Sequence, residues 1–394
     1  MLHGQHNLFV RDLKPRRFRD ASGREHVDRE LRSLAPRQSF VERDLYTTYL
    51  GSEPSTEIER LFFGRIDSAG KAAVEAFSNF TVAGALAQYD NLLAYLGSQK
   101  FRTPKGLRWI AEQAGSADRH RALVLMMSNR AMYHAVWSEC VWSIVDAAES
   151  STKFIVSDHP VTVYNRSCGP SSDRCRGYSD PDVRLNATHT LYALSIDRML
   201  VLTNLTWARN PYQDPCGLRP NPQLSRMGLF KAMGVQRERH LTEIEVHQIN
   251  FILKSRALRY VAAAVPEWLY PEKRVSKSDW RNFGDGYLLM PDPRPIHSGG
   301  TVYMTYEDGT SLASDEYGRL PGQPGFEDKQ RSELEWNALH RFKGEFARLY
   351  GPVRRGRTNQ GLELEAERTS DETHEYYLSL EEQHRPLMRG VRNW

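Results

Sequence analysis

The chain reads as an α+β protein: a helical N-terminal half packed on a small, mostly antiparallel sheet, with a C-terminal hairpin-plus-helix appendage. Three observations predict this. Apolar residues recur at helical spacing from about residue 55 to residue 148. From 154 to 203 the pattern changes to short β-branched and aromatic runs divided by turn residues. A strongly periodic segment at 242–264 then closes the region, so helices and strands occupy separate stretches.

Taken in order, Ser55-Thr56-Glu57 supplies capping residues for a helix carrying Ile58, Leu61, Phe62 and Ile66. A second helix is expected over 83–98, with Leu86, Tyr89, Leu92, Leu93 and Leu96 on one side. Thr103 then caps and Pro104 opens a third, to about residue 114. The longest helical candidate covers 118–148, with Trp137 and Trp142 as packing anchors. Strands are expected at 154–156 and 161–164, joined by the turn Ser157-Asp158-His159-Pro160, and again at 190–194 and 199–203. Residues 165–184 and 210–222 read as loops. Helix 242–264 ends at Pro266, Asp308-Gly309 marks a tight hairpin, and 331–350 is the last helix. No internal repeat is present. The resulting divisions are a basic entry segment (1–43), an α+β core (44–268), an appendage (269–352) and a charged, weakly ordered tail (353–394).

A chain of 394 residues with 40% hydrophobic and 26% charged content is that of an ordinary soluble protein, and 10% aromatics argue against wholesale disorder. No run approaches the roughly 18 apolar residues of a membrane span, and the first residues carry no secretory signal pattern. Four cysteines without a Cys-x-x-Cys exclude a disulfide scaffold and a cysteine-built zinc module, and a reducing cytoplasm is the expected setting. The net charge of +4 is too small for the whole chain to behave as a nucleic-acid polyelectrolyte. Residues 1–43, however, hold ten basic groups against six acids. Arg11, Lys14, Arg16, Arg17 and Arg19 are therefore candidates to contact nucleic-acid phosphates; the other reading is a solvated surface laced with acids. Arg354-Arg355-Gly356-Arg357, followed by an acidic stretch, reads as a solvated tail.

Several short motifs occur in a fixed order: Val41-Glu42-Arg43-Asp44-Leu45-Tyr46-Thr47, Glu57-Ile58-Glu59 with Ile66-Asp67, Arg102-Thr103-Pro104, and Phe154-Ile155-Val156-Ser157-Asp158-His159-Pro160. Ile249-Asn250-Phe251-Ile252 and Ala257-Leu258-Arg259-Tyr260 follow. In order and approximate spacing, over roughly residues 7–265, the chain resembles the bacterial domain-of-unknown-function 4238 family. The resemblance implies a common fold and no established reaction. The family's opening motif, His-x-Val-Pro-x-Phe-Tyr-Leu, is absent, although His3 and His6 lie near where it would end. If the family's site uses that opening histidine, the site here is incomplete.

Asp158 is the first candidate for chemistry, a carboxylate on a turn at a strand end, with His159 beside it as a ligand or proton carrier. An Asp in that position equally bonds its own turn backbone. Arg102, next to a capped helix start, suits a phosphate or carboxylate clamp, or is a surface arginine. Glu59 and Asp67 on one expected helix, with Asp158, offer oxygen ligands to a divalent cation such as Mg²⁺, as phosphodiester hydrolases require. Against this, Glu57 and Glu59 also simply favour a helix N-terminus. No His-Glu-x-x-His, Gly-rich phosphate loop or Gly-x-Ser-x-Gly occurs. Two functions therefore stand as expectations: a metal-dependent hydrolase of the nuclease kind, acting on nucleic acid, with Asp158, Arg102 and His159 as its reactive set; or a non-catalytic binding or scaffolding protein whose motif residues hold turns and caps.

Overall fold

The computed structural model describes residues 7–20, 22–40, 48–50, 53–55, 64–115, 119–219, 230–315, 319–360, 363–364 and 366–384. Its N-terminal strands are β1 (Leu8–Asp12), β2 (Arg17–Arg19), β3 (Glu25–Val27), β4 (Leu31–Leu34), β5 (Thr48–Leu50) and β6 (Glu53–Ser55). Four helices follow, α1 (Gly64–Ser78), α2 (Val82–Phe101), α3 (Pro104–Ala114) and α4 (Arg119–Ser138). The central strands are β7 (Val141–Asp146), β8 (Val156–Ser157), β9 (Thr162–Asn165), β10 (Thr188–Ala193) and β11 (Arg198–Thr203). After α5 (Leu205–Arg209) come β12 (Gln236–His240), α6 (Glu243–Arg256) and β13 (Tyr260–Ala263). The hairpin β14 (Thr301–Thr305) and β15 (Ser311–Asp315), helix α7 (Lys329–Tyr350), β16 (Asn359–Gln360), β17 (Glu363–Leu364) and α8 (Asp371–His384) are the last described strands and α-helices. The class is α+β, as expected from the sequence.

Two sheets organise the body. The larger has the order β12-β7-β11-β10-β9, antiparallel except for the parallel pair β12–β7. Alternation along β11 sends Leu200 and Leu202 to one face and Met199 and Val201 to the other. The first face packs against α1–α4 with Phe77, Leu92, Leu96, Trp137 and Trp142. The second packs against α6 and the segment that follows it, through Ile249, Ile252, Trp280 and Phe283. Each such fully buried side chain contributes about 1.5–3 kcal/mol relative to exposure, so two-sided burial makes this sheet the main source of stability. The smaller sheet, β4-β1-β13-β8, is antiparallel throughout. Residues 1–43 therefore do more than lead into the core: β1 is an inner strand of that sheet, and Val10 is buried.

Four expectations are corrected. The helix over 118–148 stops at Ser138, and Val141–Asp146 forms β7, because its β-branched and aromatic residues alternate between two buried faces. The helix over 242–264 stops at Arg256, and residues 260–263 pair with β1. The strand-turn-strand at 154–164 is not a hairpin: β8 pairs with β13 and β9 with β10, so the turn carries the chain from one sheet to the other. Residues 153 and 155 are instead tied to Asn250, whose Oδ1 accepts from Ile155 N at 3.1 Å while Nδ2 donates to Lys153 O at 2.9 Å. The helix expected from residue 55 coincides with α1 only from Gly64; Ser55 ends β6, and residues 56–63 lie outside the described ones.

A further correction concerns the tail. Buried Arg294 donates to Gly351 O at 2.9 Å and Val353 O at 2.7 Å, and Arg355 reaches Glu245 and Tyr287 O. These bonds strap 351–357 to the body, so Arg354-Arg355-Gly356-Arg357 is not a free solvated cluster. Helix α8 then packs on α7 at Gly344, where a Cβ would come within 2.5 Å of Glu381 N; only glycine permits that approach. Phe342 and Phe346 of α7 in turn share a hydrophobic cluster with Trp207 and Met290.

Candidate functional site

The turn between the two sheets holds two of the sequence candidates. Asp158 accepts backbone N–H bonds from Leu258 (2.9 Å, Oδ1), Arg259 (2.8 Å, Oδ2) and Tyr260 (2.9 Å, Oδ2). Three amides on one carboxylate fix the start of β13 and explain why α6 ends where it does. Burial raises the Asp158 pKa against the opposing pull of these amides. With both oxygens engaged, Asp158 is a capping residue, which corrects its reading as a catalytic group or metal ligand.

His159 points the other way, into a buried polar cluster at the α2–α3 corner. Thr103 caps α3, its Oγ1 accepting from Gly106 N at 3.1 Å, and the same hydroxyl lies 2.9 Å from His159 Nδ1. His159 Nε2 is 2.8 Å from Asp180 Oδ2 and 2.9 Å from Lys100 Nζ. Lys100 also bonds Asp180 and donates to Val161 O at 3.1 Å. Lys105 donates to Asp180 Oδ1 at 2.6 Å and to Arg256 O, the last residue of α6, at 2.9 Å. Close packing makes the corner possible: a Cβ on Gly106 would stand 2.4 Å from Lys100 O.

Electrostatics follow from burial. Desolvation pushes Lys100 down to about 8, with Asp180 opposing and Lys105 assisting. Desolvation likewise holds His159 neutral, down to about 3, assisted by Lys100. Burial works against the Asp180 carboxylate, but Lys100, Lys105 and His159 together hold its pKa well below the ordinary value. The cluster joins α2, α3, the inter-sheet turn, the 165–184 loop and the end of α6. Lys100 and Asp180 each meet more than one partner and sit away from solvent, the arrangement of a brace. His159 is thereby placed in a structural network.

The other candidates lie elsewhere. Arg102 bonds Asp67 Oδ2 at 2.7 Å across the α1–α2 contact, so each engages the other. Glu59 lies outside the described residues, as do His3 and His6. Among the described residues, no three His, Cys, Asp or Glu side chains come together to hold a metal ion, and of the expected Mg²⁺ ligands Asp67 is bonded to Arg102 and Asp158 to three backbone amides.

The arginine-rich segment divides in two. Arg11 is committed: it bonds Glu30, donates to Glu272 Oε1 at 2.9 Å and lies over the Tyr270 ring. This removes it from the nucleic-acid candidates. Beyond β1, the strands β2 and β3 form a two-stranded arm, Arg17 opposite Val27, Phe18 opposite His26 and Arg19 opposite Glu25. All six strand residues are exposed. Arg19 pairs with Glu25 at 3.0 Å, whereas the side chains of Lys14, Arg16, Arg17, Arg24 and Arg29 are exposed and take no hydrogen-bond or ion-pair partner among the described residues. Phe18 is 41% exposed and stacks on His26, leaving an aromatic face beside the cations.

Sequence reasoning missed Lys100, Lys105, Asp180 and Arg256. One signal was present: Lys100 follows Leu93 and Leu96 at helical spacing, which puts a lysine on the apolar stripe of α2. Asp180 gave none, lying in a loop rich in polar residues. Comparisons with family models, with curated proteins and with solved structures found no match to this chain, so the family resemblance rests on the order of its short motifs alone.

Proposed function

We propose that this is a non-catalytic nucleic-acid-binding protein that uses the β2–β3 arm. One observation carries the reading. Residues 14–29 place six cations against three acids on a ribbon exposed along both strands, and five of those cations have no partner among the described residues. A two-stranded antiparallel ribbon fits the major groove of a duplex, and arginines on it donate to phosphates in parallel pairs. The same segment read as a solvated surface would be expected to neutralise its cations with its own acids, but here only Arg19 is matched by a glutamate.

The metal-hydrolase reading is less well supported, because Asp158, His159, Arg102 and Asp67 each have structural partners. The cytoplasm, the setting expected from the cysteine count, gives such an arm access to nucleic acid. The test is fluorescence anisotropy with labelled duplex DNA and RNA over a salt series. Binding through four to five arm cations gives a log–log salt slope of about −4. The triple variant Arg16→Ser/Arg17→Ser/Arg24→Ser flattens that slope by about 2–3. No binding at low salt, or binding unchanged in the triple variant, overturns the proposal.

A further inference from the structure

Three of the four cysteines gather where two loops meet. Cys168 follows β9 and is buried; its N donates to Asn165 O at 3.0 Å. Cys216 sits on the loop after α5, half-buried, its N bonded to Asp214 Oδ1 at 2.9 Å. The two loops are already laced together. Asn165 Nδ2 donates to Pro215 O at 2.9 Å, Ala187 N donates to the same oxygen, and Asn186 N donates to Gly217 O at 2.9 Å. Within this frame the Cys168 and Cys216 thiols lie close enough to interact. Cys175 is placed differently: its Sγ faces the Cys168 carbonyl and the Arg256 guanidinium.

We infer that Cys168 and Cys216 form a reversible disulfide that locks the 165–184 loop to the 210–219 loop. The oxidant is a low-molecular-weight disulfide of the glutathione class. The half-exposed Cys216 thiolate attacks it first, forming a mixed disulfide and releasing one glutathione thiolate. Cys168 then loses its proton and attacks the Cys216 sulfur, releasing the second. Two thiols are oxidised to one disulfide, two electrons pass to glutathione disulfide, and the two protons end on the two glutathione molecules. Burial pushes the Cys168 thiol up to about 12, so the second step quickens as pH rises. The backbones that carry Cys168 and Cys216 are pinned to each other through Asn165 and Pro215, which keeps the two loops together as the bond closes. In a reducing cytoplasm such a bond is transient and sensing in character, not constitutive.

The test equilibrates the full chain with glutathione buffers of increasing oxidised fraction, then alkylates it in denaturant and maps its peptides. The expected product joins the Cys168 and Cys216 peptides, is lighter by two hydrogens, and reverts with a thiol reductant. Closing a loop of about 50 residues raises the thermal midpoint by about 5 °C in the oxidised form. Cys216→Ser, at a half-buried position, abolishes both the linked peptide and the shift; Cys175→Ser keeps both. The inference is overturned if Cys168 and Cys216 both remain alkylatable in the most oxidising buffer. It is equally overturned if the bond maps to Cys175, or if Cys216→Ser retains the shift.

Discussion

The α2–α3 corner and the β2–β3 arm use the same residue types in opposite ways. At the corner two lysines are taken out of water, and one carboxylate with a neutral imidazole receives them. On the arm the cations stay in water, and all but Arg19 lack a partner among the described residues. Charge counts alone do not distinguish the two regions. The difference is the apolar surface beneath: Leu93, Leu96 and Phe101 draw Lys100 inward, so it must be paired, whereas the arm has no core beneath it and its charges stay available.

That contrast can be broken at the corner. Asp180→Asn leaves Lys100 and Lys105 buried beside an amide, and unfolding in urea is expected to show a loss of about 3–5 kcal/mol. A loss below about 1 kcal/mol would mean that the lysines escape to solvent and that the corner is no brace. Gly106→Ala forces a methyl against Lys100 O and the Phe101 backbone; about 1–3 kcal/mol of destabilisation is expected by the same measurement.

Acid sharpens the comparison further. His159 is pushed from 6.5 to about 3, so between those pH values the folded state binds fewer protons than the unfolded one. Stability therefore falls as pH drops through this window, by up to about 1.4 kcal/mol per pH unit for each such group. His189, buried and also pushed to about 3, acts with the same sign. His159→Gln should accordingly halve the slope from these two groups in chemical denaturation between pH 6 and 4, and an unchanged slope would contradict a neutral, buried His159. The smallest expected effect is on the arm: Arg16→Ser/Arg17→Ser/Arg24→Ser should shift folding stability by no more than about 0.5 kcal/mol per site. A larger loss would show that these arginines support the fold, making the arm a second brace.

Much of the fold was legible in the sequence, for identifiable reasons. The caps Thr103 and Thr242 mark the starts of α3 and α6, and the Asp308-Gly309 turn lies between β14 and β15. Helix ends were less legible. α6 stops because Asp158, about a hundred positions earlier, captures three amides, and no local pattern encodes that. β7 was hidden because Val141, Trp142, Ile144 and Val145 resume the apolar pattern directly after Glu139 and Cys140, and periodicity does not separate a doubly buried strand from a helix there. For the site, neither reading set beside Asp158 and Arg102 names their partners: Asp158 bonds the amides of residues 258–260 in place of its own turn, and Arg102 pairs with Asp67 on α1. Asp158–His159 adjacency suggested one site, but neighbouring side chains on an extended segment diverge: one caps β13 and the other enters the corner.

The pairing of β1 with β13 has a consequence for how the chain is made. Phe9 lies opposite Ala263, so β1 finds this neighbour only after some 250 further residues have been synthesised. At about 5–20 residues per second that interval is on the order of 10–50 s. Until then β1 has only β4 beside it, and its other edge, which includes Phe9 and Val10, is open to any extended chain nearby. β1 is thus the earliest strand of the small sheet to be synthesised and among the last to be covered. A nascent-chain chaperone, or slow codons after residue 263, would protect the yield of this protein more than any change to its finished core.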